Sequence, residues 1–302
     1  MPIPSAFGEN AGTAENIRDE QHGNGSRDAN NAGNAGDLPL WELDFGAFVR
    51  YGQSYPASED SQLNVVPIAF PIYRGAVLRV GDESGKPIST RIYRKRRVKL
   101  DIDFGLNFAV DSNDVDARFG MPDLDILGEV GPELEIQLAD DWRGGALQVA
   151  LQLRGAWSFD GLDSTSRGGI FSTEFKYTRA LKKPGSELRL RVTPEWASDD
   201  YMDFFYGVAP QFETAFRPAY QAKSGYLGTR VAASFKQPLT DNLEFRTGVN
   251  IGLYQGAAND QSPLFTDKTT YSGFVAIVWK FWESERREPE PDQLLPEGLI
   301  GL

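Results

Sequence analysis

Apolar and polar side chains alternate one for one along much of the chain between residues 41 and 282. In the stretch GALQVALQLRGAW, Leu147, Val149, Leu151 and Leu153 fall on one side and Gln148, Ala150, Gln152 and Arg154 on the other. In KLDIDFGLNFAV, Leu100, Ile102, Phe104, Leu106 and Phe108 alternate with Lys99, Asp101, Asp103, Gly105 and Asn107. In NLEFRTGVNIGLY, Leu243, Phe245, Val249, Ile251 and Leu253 alternate with Glu244, Arg246, Gly248 and Asn250. A period of two belongs to a strand with two unlike faces, because a helix with this pattern would carry charge all round. The spacing predicts strands over 41–51, 62–72, 75–81, 88–94, 97–110, 123–138, 145–157, 168–181, 187–198, 223–237, 242–256 and 270–282. The segment 201–208 is open to reading as an extension of a strand.

Several of these strands are about twice the length of a typical globular strand. The connections after odd-numbered strands are long (52–61, 82–87, 111–122, 158–167, 199–222 and 257–269). Those after even-numbered strands are short (73–74, 95–96, 139–144, 182–186 and 238–241). This is the arrangement of a closed antiparallel transmembrane β-barrel with long extracellular loops, short periplasmic turns and both termini on the short-turn side. The expected count is about 12 strands, with 10 to 14 left open by the short third and fourth segments. A soluble β-sandwich would also alternate; strand length and loop alternation favour the barrel.

Composition agrees. Aromatics make up 12% of the chain and there are 31 glycines, yet only 40% of residues are hydrophobic. No apolar run approaches the length of a membrane-spanning helix. Aromatics near the ends of the apolar face (Trp41, Tyr51, Tyr73, Trp157, Tyr177, Trp196, Tyr254, Tyr271, Trp279 and Phe281) suit the two interfacial girdles of a barrel in lipid. Residues 1–38 read as a disordered polar arm, residues 39–282 as the barrel, and residues 283–302 as a flexible acidic, Pro-rich tail. The start carries no recognisable secretory signal. Each end has six acids against two bases, so much of the net charge of −12 belongs to the ends.

The polar face would line the lumen. It carries the acids Asp101, Asp103, Glu129, Glu133, Glu135, Glu174, Glu195 and Glu244. Its bases are Lys99, Arg154, Lys176, Arg189, Arg191, Arg230 and Arg246. A near-balanced set predicts a filled, salt-bridged interior; a selective filter for ions is the competing expectation. The loop acids Asp111, Asp114, Asp116 and Asp123, and then Asp199, Asp200 and Asp203, match no calcium-loop template and read as solvated charge. The run Arg94-Lys95-Arg96-Arg97 falls in a short turn.

The acidic balance argues against nucleic acid as a partner. There is no cysteine, and the single histidine, His22, lies in the polar arm. This removes disulfides, thiolate metal sites and a histidine base in the folded body. The expectation is a non-enzyme with no cofactor and no metal, although hydrolysis by aspartates alone stays open.

Four segments resemble the MipA/OmpV family, the MltA-interacting proteins of Gram-negative outer membranes. YGQSYPASEDSQLNVVPIAFPIYRG (Tyr51–Gly75) is similar to the family's tyrosine, acidic-loop and "VxPxxxYR-G" opening. GMPDLDILGEVGPELEI (Gly120–Ile136) resembles its "GxxDxD…ELG…E" strand. FFYGVAPQFETAFRPAYQAKSG (Phe204–Gly225) resembles its "YYGV-P…A…S-GLPAY-A-AG" loop. QSPLF (Gln261–Phe265) sits where the family has "DSPLV", ahead of the last strand YSGFVAIVWKFW. The order holds through about residues 40–282. The family usually ends on its last strand, whereas here about twenty residues follow; the long N-terminal arm is also unusual. The resemblance implies a non-enzymatic barrel in the outer membrane of a Gram-negative bacterium, in contact with outer-membrane lipid. The family's best-known member is a scaffold joining a lytic transglycosylase to a murein synthase, and other members are linked to osmotic response, adhesion and antibiotic uptake; family membership does not choose among these roles, and the scaffold is the first expectation. A narrow channel for small polar solutes is the alternative. Oligomeric state is not legible.

Overall fold

Alternation produces strands here because each residue pair places one side chain on either side of the sheet. The computed structural model describes residues 38–75, 78–80, 88–95 and 97–287. Its strands are β1 (Trp41–Gln53), β2 (Ser61–Arg74), β3 (Leu78–Val80), β4 (Ile88–Lys95), β5 (Val98–Asn107) and β6 (Ile126–Trp142). They continue as β7 (Gly145–Asp160), β8 (Asp163–Ala180), β9 (Glu187–Ala197), β10 (Gly225–Pro238), β11 (Leu243–Leu253) and β12 (Thr269–Glu283). Each strand pairs antiparallel with its neighbours in sequence. β12 returns to β1 through pairs such as Phe48↔Ala276 and Arg50↔Phe274, so the strand order closes on itself.

The outward face is apolar. Phe45, Val49, Leu63, Val65, Leu151, Leu153, Val249, Val275 and Ile277 are all exposed on it. Trp41 packs on Tyr73 with ring centroids 4.3 Å apart, and Trp279 meets Phe281 edge-on at 5.3 Å. Tyr254 departs from the expected girdle: it is buried, at 3% exposure. It follows Leu253, and it shares the inward parity of Asn250 and Gly252 rather than the outward parity of Ile251.

Three connections differ from the sequence expectation. The loop expected at 158–167 is strand: β7 and β8 continue outward as a hairpin closed by Gly161 and Leu162, with Gly161 at φ 59°. The pairs Phe159↔Ser164 and Asp160↔Asp163 complete it. The connection at 139–144 shortens to Arg143 and Gly144, both at positive φ (53° and 80°), as the tightest hairpins require. Residues 199–206 form a helix, α1 (Asp199–Tyr206), rather than a strand extension. Ser198 caps it by accepting from the Tyr201 amide, and Asp199 and Asp200 occupy its first turn.

The expected tail begins later than residue 283. Leu40 donates to the Arg286 carbonyl at 2.7 Å, and Ser284 donates to that of Trp41 at 2.9 Å. The segments flanking β1 and β12 therefore run side by side, with Pro39 bridging Arg287. The arm over 1–37, the connection 82–87 and the tail from 288 onward lie outside the described residues. So do parts of the expected third strand and Arg96 of the basic run.

Candidate functional site

The largest apolar cluster sits at the mouth of the barrel, above the strand ends where the long connections emerge. Tyr55, Val115, Leu124, Met202, Phe205, Tyr206 and Phe265 belong to it, and it draws on four connections. α1 supplies Tyr201, Met202, Phe205 and Tyr206, which recur at helical spacing on one buried face. Leu127, Ala156 and Leu227 from the strand ends form the floor beneath.

Hydrogen bonds fasten the connections to one another. The Tyr55 hydroxyl donates to the Leu264 carbonyl at 2.7 Å, and the Tyr206 hydroxyl to that of Pro56 at 3.1 Å. The Ser262 hydroxyl donates to the Tyr206 carbonyl at 2.8 Å. Ala57, at φ 59°, turns its carbonyl to accept from the amides of Thr266 and Asp267. Asn259 accepts from the Lys223 amide and donates to its carbonyl, each at 2.8 Å.

Arg118 is the pivot of this cap. Its guanidinium donates to Ser112 Oγ (3.2 Å), the Phe205 carbonyl (3.3 Å) and the Pro122 carbonyl (3.0 Å), and it lies 5.9 Å from the Tyr55 ring centroid. The Phe205 carbonyl is in the last turn of α1, where backbone acceptors are free and a cation is favourable. Burial lowers the Arg118 guanidinium to about 10 and pushes the Tyr55 hydroxyl up to about 12. Burial likewise raises the Tyr201 and Tyr206 hydroxyls well above their ordinary value. Arg217 adds a second clamp, donating to the carbonyls of Ala117 and Phe119 at 3.0 Å.

The four segments that carry the family resemblance meet in this cap. Tyr55 and Pro56 come from the first, Pro122 and Leu124 from the second, Phe205 and Tyr206 from the third, and Ser262 and Leu264 from the fourth. Sequence reasoning missed the cap because it read the long connections as loops. Ser198 followed by two aspartates and then Tyr201, Met202, Phe205 and Tyr206 was the available signal.

Below the cap, charged side chains from the inward parity pair around the ring. Arg154 lies 3.2 Å from both Asp103 and Glu129. Glu129 also accepts from Asn107 (3.0 Å) and from the Tyr201 hydroxyl (2.8 Å), which ties the lumen to α1. Glu133 accepts from Gln152 at 2.6 Å, and Asp101 stands opposite Glu133 in the β5–β6 register. Glu135 receives both Lys99 (2.8 Å) and Lys176 (2.7 Å). On the other wall, Arg230 meets Glu195 at 2.7 Å, Arg189 meets Glu187 at 2.7 Å, and Arg191 stands 4.0 Å from Glu174. Arg246 pairs with Glu244. Glu42 holds Arg74 at 2.7 Å and Lys280 at 3.5 Å, so ion pairing crosses the β12–β1 seam.

The two walls differ in water access. The Arg154, Asp103 and Glu129 side chains are nearly sealed, whereas Arg230 keeps 50% of its side-chain surface exposed and Arg191 36%. A cavity of about 390 Å³ lies between the cap and these residues. No group of three or more potential metal ligands forms among the described residues. The loop acids serve the backbone instead: Asp111 accepts from the Asn113 amide, Asp123 from that of Ser112, and Asp203 from that of Ala222.

No curated protein matches the chain. Among solved structures, the chain is similar to the NanC porin at 11% identity, covering 79% of this chain and 100% of that one, with a TM-score of 0.38. It is similar to outer membrane phospholipase A from Escherichia coli at 11% identity, covering 80% and 94%, with a TM-score of 0.36. For the Pseudomonas putida toluene transporter TodX the identity is 9%, the coverage 81% and 90%, and the TM-score 0.31. The strand ladders described above, rather than these likenesses, carry the fold. The family model of MltA-interacting protein MipA matches residues 45–281, and the chain belongs to that family.

Proposed function

We propose that this protein is an outer-membrane barrel that acts as a non-enzymatic docking scaffold for murein-remodelling enzymes, a lytic transglycosylase and a murein synthase. The observation that carries this reading is the capped mouth. A cap with its own apolar core lies across the strand ends, and ion pairs cross-link the lumen beneath it. Such an interior suits a rigid platform better than a wide pore. The family's description as MltA-interacting supports a partner of that class. The outward apolar belt supports a lipid setting, since an exposed apolar surface of this extent is unfavourable in water. In that setting the capped end faces outward and the short turns face the periplasm, where murein enzymes work.

Mild cross-linking of intact envelopes, followed by pull-down of the full chain, tests the reading. Recovery of a lytic transglycosylase or a murein synthase is expected. Recovery of the barrel alone, with cross-linking shown to be efficient on a known envelope complex, would overturn it.

A further inference from the structure

Two charged side chains at the 390 Å³ cavity have no charged partner among the described residues. Arg50, on β1, makes one long hydrogen bond, 3.4 Å to the Gln53 carbonyl. A guanidinium has five donors, so most of its capacity is unused. Asp125 precedes β6, which lies halfway round the ring from β1. The other charges at the cavity are committed: Glu129 to Arg154, Asn107 and Tyr201, and Glu195 to Arg230. An unspent cation and an unspent carboxylate thus line one partly open cavity from well-separated strands of the ring. The amides of Asn107 and Asn250 also line it, and its volume lies in the range of small-molecule sites.

We propose that this cavity binds a small zwitterion of the amino-acid or short-peptide class, with Arg50 receiving the carboxylate and Asp125 the ammonium group. The guanidinium fork matches a carboxylate in two-point geometry, and neither protein charge then remains unpaired. Arg230, which keeps half of its side-chain surface exposed, lines the same cavity. The site is independent of whether murein enzymes dock on the turns.

Calorimetric titration of the full-length protein, folded in detergent micelles, tests this with three probes. These are alanyl-alanine, its N-acetyl form without the ammonium charge, and its C-terminal amide without the carboxylate. The free dipeptide is expected to bind, with each capped form weaker by about tenfold, the scale of one charged hydrogen-bonded contact. Arg50→Met should bind the dipeptide and its amide equally, having lost the carboxylate contact. Asp125→Asn should bind the dipeptide and its N-acetyl form equally, and it stands as the test if Arg50→Met does not fold. No heat signal from the wild-type protein at millimolar dipeptide, or equal binding of all three probes, would overturn the proposal.

Discussion

Arg118 shows how one residue can hold a surface in place. Three oxygen acceptors from three different places converge on one buried guanidinium. Arg118→Met leaves all three without that donor and is expected to cost about 3 kcal/mol of cap stability. Hydrogen exchange should report this as faster exchange over 198–224 with the strand amides unchanged. Arg118→Lys should rescue little, because an ammonium cannot reproduce the planar fork. The cap tyrosines give a pH signature. Tyr55 ionises near 12 in the folded cap but near its ordinary 10 once exposed. The folded cap therefore holds the extra proton between these values, and this contribution to stability is lost as pH rises from 10 to 12. Tyr201 and Tyr206 act in the same direction, while Arg118, lowered to about 10, opposes them. Tyrosinate absorbance should therefore rise in two stages. The later stage should coincide with increased protease access to the connections, and it should shrink in Tyr55→Phe.

At the scale of elements, the close packing of β6 on β7 depends on Gly131. A Cβ there would lie 1.9 Å from the Leu153 carbonyl and 2.8 Å from the Arg154 Cα, both backbone atoms that cannot turn aside. Gly131→Ala is expected to separate the two strands and displace Arg154 from Asp103 and Glu129. The readout is the fraction recovered folded in detergent, which should fall several-fold. Gly161→Ala, at the open tip of the β7–β8 hairpin, meets no neighbouring atom and should cost only the strain of its positive φ. The same elements show what the sequence made legible. The period of two in β7 and β11 gave their two faces directly, because an inward charge and an outward leucine cannot exchange without a change of register. The inward acids and bases were legible for the same reason. α1 was not, since a period of 3.6 confined to eight residues is easily covered by the strand pattern around it. The cap could not be read at all from alternation. Its connections join residues such as Tyr55 and Leu264, 209 positions apart, and local periodicity holds no record of that contact.

For the whole molecule, one physical arrangement organises the rest. The apolar core lies in the cap across one end, ion pairs cross-link the interior, and the apolar belt faces outward. A soluble globular domain gathers its apolar side chains centrally, so this distribution is that of a barrel whose surroundings are apolar. The scaffold proposed above needs no path for solutes between compartments. Single-channel recording of the full-length protein in planar bilayers tests that claim most directly. The account predicts a protein that inserts, shown by protease protection of its strands, yet produces no discrete current steps. Stable ohmic steps, with a selectivity altered by Arg189→Ala or Glu133→Ala, would contradict it and make the lumen a conducting path.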